Sequence, residues 1–88
     1  MYSMYDTRGR GDSGGLSCAL WKNDDGAIVY EDDARPRVGV CMRVGSRFAR
    51  TMQSQDFWTT TPVTEILEES DHRVLFKTKN SIYEWKDL

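Results

Sequence analysis

The chain has 88 residues, of which 39% are hydrophobic and 30% charged, and its formal net charge at pH 7 is −2. A chain of this length forms one small domain with one modest core, which excludes a deep cleft between two lobes. The total charge favours no class of partner, but its distribution is uneven. Five arginines and no acidic residue lie between residues 35 and 55, and acidic residues cluster on both sides of that stretch.

The first half of the chain predicts an unstructured start followed by a hairpin. Residues 1–15 hold little that can be buried and include a Gly/Ser-rich stretch, so we expect a flexible N-terminal arm. Residues 16–88 then form a single small β domain. Within it, residues 16–31 contain two apolar runs around the turn Asn23-Asp-Asp-Gly26, which predicts an added N-terminal hairpin.

The middle of the chain predicts a strand, a long loop and a second strand. Apolar residues alternate over residues 37–44, as in a half-buried strand, and residues 46–56 are polar and irregular. A strand is predicted over about residues 58–68. Residues 61–69 also fit a helix with Pro62 in its first turn, but the threonine-rich lead-in favours a strand with Pro62 at an edge or bulge.

The clearest pattern is at the C-terminus. Residues 73–79 and 81–86 are rich in β-branched and aromatic side chains and flank Lys79-Asn80, which predicts a β-hairpin. The order of elements predicts a mainly β fold, either a small SH3-like barrel or an antiparallel meander carrying the added N-terminal hairpin.

The cellular compartment and the possible chemistry of the protein are predicted mainly from motifs that the sequence does not contain. Cys18 and Cys41 are too few for a disulfide framework, so we expect reduced thiols in the cytoplasm. The start of the chain does not resemble a signal peptide, and no apolar run approaches the roughly 20 residues of a membrane span. His72 has no histidine or cysteine at metal-ligand spacing, so neither a metal nor a cofactor is expected.

The sequence Gly11-Asp-Ser-Gly-Gly15 matches the segment around the nucleophilic serine of chymotrypsin-like proteases. That chemistry needs a fixed oxyanion hole and a histidine that activates the serine. This chain is far shorter than those proteases, and its single histidine, His72, follows the serine instead of preceding it. A chance match in a Gly/Ser-rich arm is favoured, and no enzyme activity is expected.

Two groups of residues are candidates for binding. The first group is an arginine stretch followed by aromatic residues. Arginine suits bidentate contact with phosphate or carboxylate, and an aromatic ring can stack on a base. The group comprises Arg43, Arg47, Phe48, Arg50, Phe57 and Trp58. The second is the hairpin tip, where Asn80 and Ser81 could contact a polar ligand edge. The alternative is that Phe57 and Trp58 belong to the core, the arginines are solvated, and Asn80 and Ser81 only form the turn.

Three segments of the half from Val38 to Trp85 carry a resemblance: residues 42–46, 56–62 and 76–83. They resemble a loose group of small, mostly uncharacterised phage-encoded β proteins. The resemblance implies a short accessory protein of a virus or mobile element. Such a protein would act in the host cytoplasm, inhibiting a host enzyme or immune complex or sequestering a nucleotide signal.

These observations together predict a non-enzymatic binding or inhibitor protein, and the resemblance implies a counter-defence factor. It would engage an anionic ligand such as a nucleotide, or a host defence protein, through the segment from Arg43 to Trp58. One alternative is a small barrel that binds DNA or RNA directly. Another is an acidic inhibitor in which residues 65–71 imitate DNA. A homodimer is possible, and no membrane partner is expected.

Overall fold

The computed structural model describes residues 1–46 and 57–88. These residues form strands and connecting turns, with no helix among them, so the predicted mainly β fold is confirmed. No helix in the described part of the chain is long and apolar enough to cross a membrane. The strands are β1 (Tyr2–Asp6), β2 (Gly11–Gly14), β3 (Leu16–Lys22), β4 (Ile28–Asp32), β5 (Cys41–Gly45), β6 (Phe57–Thr59), β7 (Val63–Glu69), β8 (Arg73–Thr78) and β9 (Ile82–Asp87).

The described strands form two antiparallel sheets and do not close into a barrel. The five-stranded sheet has the order β2-β1-β9-β8-β7, and the four-stranded sheet has the order β4-β3-β5-β6. Consecutive strands β7, β8 and β9 are neighbours, which agrees with the predicted meander. The predicted C-terminal hairpin is present as β8 and β9.

One core lies between the two sheets. The five-stranded sheet contributes the buried side chains of Met4, Phe76 and Trp85, and the four-stranded sheet contributes Met42 and Val44. In β5, β8 and β9, buried residues alternate with less buried ones, as the pleat of a strand requires. Burial of an apolar side chain of this kind contributes about 1.5–3 kcal/mol, so these residues dominate the free energy of folding.

The N-terminal segment is ordered, in contrast to the flexible arm predicted from its composition. Strand β1 pairs with β9 along its whole length, and Met4 is completely buried. The glycines of β2 serve close packing: a Cβ atom on Gly14 would lie 2.1 Å from the carbonyl oxygen of Gly45. Glycine is therefore required where β2 crosses β5, because no larger residue fits there.

The hairpin at residues 16–31 is an integral part of the fold. Its first strand, β3, lies between β4 and β5 in the four-stranded sheet. The strand predicted over about residues 58–68 is divided instead into β6 and β7, which belong to different sheets. Thr60 lies between β6 and β7, where the chain passes from one sheet to the other. Its hydroxyl accepts a hydrogen bond from the N–H of Met42 and donates one to the carbonyl of Thr61. The strand interpretation of residues 61–69 is confirmed.

Candidate functional site

The outer face of the five-stranded sheet is a network of paired charges. Arg73 bonds to Glu68 at 2.9 Å and to Glu84 at 2.6 Å, and Lys86 lies 3.3 Å from Glu84. The hydrogen bonds to Glu68 and Glu84 raise the pKa of Arg73, and the bond from Arg73 lowers the pKa of Glu84. Such a face is typical of a solvated surface and offers little uncompensated charge to a ligand.

The outer face of the four-stranded sheet is apolar and concave. Leu20 lies directly opposite Tyr30 on one side and Cys41 on the other, and Ile28 continues the same face. With Val38 at one end, these residues line a groove of about 780 Å³. Ile28 and Tyr30 are each 56% exposed and Val38 is 60% exposed. Exposed apolar side chains gathered in one concavity mark an interaction site.

The charge of the groove is positive. Among the described residues 1–46 and 57–88, its lining includes Lys22, Arg37 and Arg43 and no aspartate or glutamate. A concave surface with one sign of charge raises the local concentration of ligands of the opposite sign. The groove therefore favours an anionic ligand that has an apolar or aromatic body.

Two of the five arginines are held by structural contacts. Arg35 pairs with Glu69 at 3.1 Å, and its guanidinium lies 5.4 Å from the ring centre of Trp85. Arg37 pairs with Glu31 at 2.8 Å. Both residues therefore stabilise the positions of neighbouring segments, and Arg37 adds to the groove a charge that is already compensated.

Arg43 differs from both of these. Its guanidinium carbon lies 4.4 Å from the ring centre of Phe57 and 5.8 Å from that of Tyr30, and its Nε donates to the Thr59 hydroxyl at 3.0 Å. None of the ion pairs within residues 1–46 and 57–88 includes Arg43. Two rings and a hydroxyl thus hold a guanidinium that has no carboxylate partner among the described residues, and a guanidinium suits bidentate contact with an anion.

The two thiols share this face of the sheet. Cys18 is opposite Arg43 and Cys41 is opposite Leu20, so the cysteines are diagonal neighbours on adjacent strands. Both are free thiols, and burial raises the pKa of each. Within the described ranges, no group of three or more histidine, cysteine, aspartate or glutamate side chains is placed to hold a metal ion.

The first predicted site group is partly brought together. Arg43 and Phe57 are in contact beside the groove. Trp58 points to the opposite face, where it packs against the core and its Nε1 donates to the hydroxyl of Tyr83 at 3.1 Å. That contact gives Trp58 a structural role. The remaining members of the group, Arg47, Phe48 and Arg50, lie outside the described residues.

Asn80 and Ser81 lie in a different place. They form the turn between β8 and β9, where the N–H of Thr78 donates to the carbonyl of Ser81 at 2.8 Å. Together with the β1–β2 turn, they line a second concavity of about 300 Å³. Asn80 and Ser81 therefore do not share a site with Arg43.

The groove residues were not recognised as a site from the sequence, which predicted only a hairpin over residues 16–31. A signal was present: Leu20 and Trp21 are adjacent, so β3 carries large apolar side chains on both faces. One face of β3 packs against the core. Large apolar side chains on the other face indicate contact with another part of the protein or with a ligand. The cross-strand register that gathers these residues cannot be read from the sequence.

The serine-protease-like segment has no nearby histidine. Ser13 pairs with Ser3, Ser3 with Lys86, and Lys86 with Arg73, which precedes His72. Three strand spacings of about 4.8 Å each therefore separate Ser13 from Arg73, the neighbour of His72. Ser13 and His72 are thus far beyond hydrogen-bond reach. Close packing against backbone atoms explains Gly11 and Gly14 of this segment.

The acidic strand β7 is partly neutralised. Glu68 pairs with Arg73 and Glu69 with Arg35, each within 3.1 Å. A protein that imitates DNA needs a row of free negative charges. The pairing therefore counts against the acidic-inhibitor alternative.

A scan against protein-family models, a search of the curated proteins and a search of the solved structures each found no match. The resemblance to phage-encoded β proteins and the counter-defence role therefore stay predictions. The evidence that bears on function is the geometry of the groove and of the second concavity.

Proposed function

We propose that this protein is a binding protein whose site is the groove on the four-stranded sheet, and that its ligand is a compact aromatic anion of nucleotide size. The observation that carries this proposal is Arg43, held by Tyr30 and Phe57 at the edge of an apolar floor without a carboxylate partner among the described residues. Binding would be stoichiometric, without turnover.

The dimensions and chemistry of the groove support a ligand of this class. A volume of about 780 Å³ is within the range of roughly 300–1,000 Å³ that is typical of small-molecule sites. Leu20 and Cys41 offer an apolar floor, and the Tyr30 ring, more than half exposed, offers a stacking surface. Arg43 would bind the phosphate or carboxylate of the ligand.

Two measurements test the proposal. Native mass spectrometry of protein purified gently from cells should show an excess of a few hundred daltons over the denatured mass. Stripped protein should then bind adenosine monophosphate, used as a probe, with saturable NMR shifts at Tyr30 and Cys41. Adenosine, which lacks the charge, should bind more weakly.

The matched variants are R43A and K86A, since each removes one positive charge and Lys86 lies outside the groove. A hydrogen bond to a charged group contributes about 1.5–3 kcal/mol, so R43A should weaken binding about 10- to 150-fold. K86A should leave it nearly unchanged. A bare native mass together with no saturable binding of the probe would overturn the proposal and favour a protein partner. Equal losses in the two variants would also contradict it.

A further inference from the structure

The second concavity lies between two turns at one end of the five-stranded sheet. Strands β1 and β9 are neighbours, so the β1–β2 turn and the β8–β9 turn lie side by side. Their residues enclose about 300 Å³. The space belongs to a different sheet from the groove, and its lining shares no residue with the groove.

Positive charge dominates this concavity. Its lining includes four cations and a single carboxylate; the cations are Arg8, Arg10, Lys77 and Lys79. The carboxylate, Asp6, pairs with Arg10 at 2.9 Å. None of the ion pairs in residues 1–46 and 57–88 includes any of the other three cations. Three cations without an ion-pair partner in the described part of the chain therefore border one small space, in a chain whose net charge is −2.

Asp6 organises the site and does not compete for its cations. Asp6 is only 7% exposed, and its carboxylate accepts hydrogen bonds from the backbone N–H groups of Arg8 and Arg10 at 2.9 and 2.8 Å. Burial alone would raise the pKa of Asp6, but the hydrogen bonds from Arg10 and Arg8 outweigh it, and the pKa is lowered. An ionised Asp6 thus stabilises the β1–β2 turn. Gly9 in this turn has a positive φ of 80°, a backbone conformation that favours glycine.

Neutral donors complete the lining. Thr7 and Ser81 carry hydroxyls and Asn80 carries an amide, and all three belong to the two turns. Several cations combined with hydroxyl and amide donors suit an anion with many oxygens and more than one charge. A monocarboxylate would leave most of this charge uncompensated.

We propose that the cavity between these two turns is a binding site for a compact phosphate-bearing anion, such as a diphosphate group. Lys77, Lys79 and Arg8 would supply the charge, and Asn80, Ser81 and Thr7 would donate hydrogen bonds to its oxygens. The site is independent of the groove. It gives Asn80 and Ser81, which the sequence singles out, a binding role besides their part in the turn.

Titration with sodium pyrophosphate at constant ionic strength tests this site, with backbone amide NMR shifts as the readout. We expect saturable shifts at Thr7, Lys79 and Ser81, and none in the groove. The variant K79E should weaken binding at least about 10-fold, since it replaces an attraction by a repulsion. K86E is the matched control, because it makes the same charge reversal on the same sheet outside the cavity, and R43A should bind normally.

The outcomes distinguish a specific site from general electrostatic attraction, and a nucleic-acid phosphate from that of a small molecule. Shifts that do not saturate, or that change equally in K79E and K86E, would overturn the proposal by showing only general attraction to the surface. If a short oligothymidylate displaces pyrophosphate with a steep salt dependence, the phosphate comes from a nucleic acid. If pyrophosphate and ATP bind but the oligonucleotide does not, it comes from a small molecule. Either result supports the site.

Discussion

Replacing Ser17 by alanine tests the polar contact at the centre of the core. Ser17 is fully buried, its hydroxyl accepts a hydrogen bond from Nε1 of Trp85 at 2.9 Å, and it donates to the carbonyl oxygen of Ala34 at 2.9 Å. S17A removes both bonds with little change of volume. A buried polar group left unpaired costs about 1–3 kcal/mol. We therefore expect the free energy of unfolding to fall by about 2–4 kcal/mol.

Urea denaturation followed by far-UV circular dichroism measures this loss, and the melting temperature should fall by at least about 8 °C. S13A is a suitable control, because the Ser13 side chain lies on the edge strand β2 and is half-buried. A double-mutant cycle with W85F isolates the bond itself. In the W85F background, S17A should cost about 1 kcal/mol less, since no indole N–H remains to be satisfied. A cost of S17A below about 0.5 kcal/mol, or strict additivity with W85F, would refute the reasoning.

Three further predictions follow from the packing and the pKa shifts. G14A should lower the melting temperature strongly, because its Cβ would lie 2.1 Å from a backbone oxygen, whereas G15A, with nothing within 4 Å, should be tolerated. The lowered pKa of Asp6 contributes stability above its unfolded pKa of about 3.9, and this is lost as the pH falls through the folded pKa. D6N should abolish that part of the pH dependence in urea denaturation between pH 2 and 5. Iodoacetamide should modify Cys41 before Cys18, slowly at pH 7 and faster as the pH rises, because burial raises both pKa values.

Each of these has a clear contrary result. Equal melting temperatures for G14A and G15A would show that β2 does not pack against β5 as described. A stability profile of D6N that is parallel to the wild type below pH 4 would mean that Asp6 is not ionised by its turn contacts. Equal alkylation of the two cysteines, read by peptide mass spectrometry, would place Cys18 at the surface and contradict the cover given by its cross-strand neighbours.

Local patterns in the sequence were sufficient to predict the hairpins. The turn between β3 and β4 and the turn between β8 and β9 each lie between short apolar runs, and both hairpins form where expected. The strand interpretation of residues 61–69 is also correct. These elements are predictable because turn chemistry and side-chain alternation act over a few residues.

The N-terminal segment shows where local reasoning fails. Glycine and serine are typical of flexible chains, but residues 1–15 form two strands because β9 offers them an edge and the core has room for Met4. The same glycines that suggest flexibility permit the close contact between Gly14 and Gly45. Composition alone does not distinguish a free chain from one that packs tightly.

The binding residues were likewise only partly predictable from the sequence. Residue type marked Arg43 and Phe57 as candidates, because an arginine beside an aromatic ring suits an anion wherever it occurs. The sequence did not show that Arg35 and Arg37 are paired, or that Trp58 faces the core. Those facts depend on which groups lie opposite one another across strands.

The fold class, the hairpins and the residue types able to bind an anion were predictable from the amino-acid sequence, because these depend on neighbours along the chain. Three features were visible only in the folded chain: the strands divide between two sheets, the outer face of one sheet is a cationic apolar groove, and two distant turns border a second basic cavity. The physical reason is register. Which side chains share a face, and which charges find a partner, depends on contacts between residues far apart in the sequence.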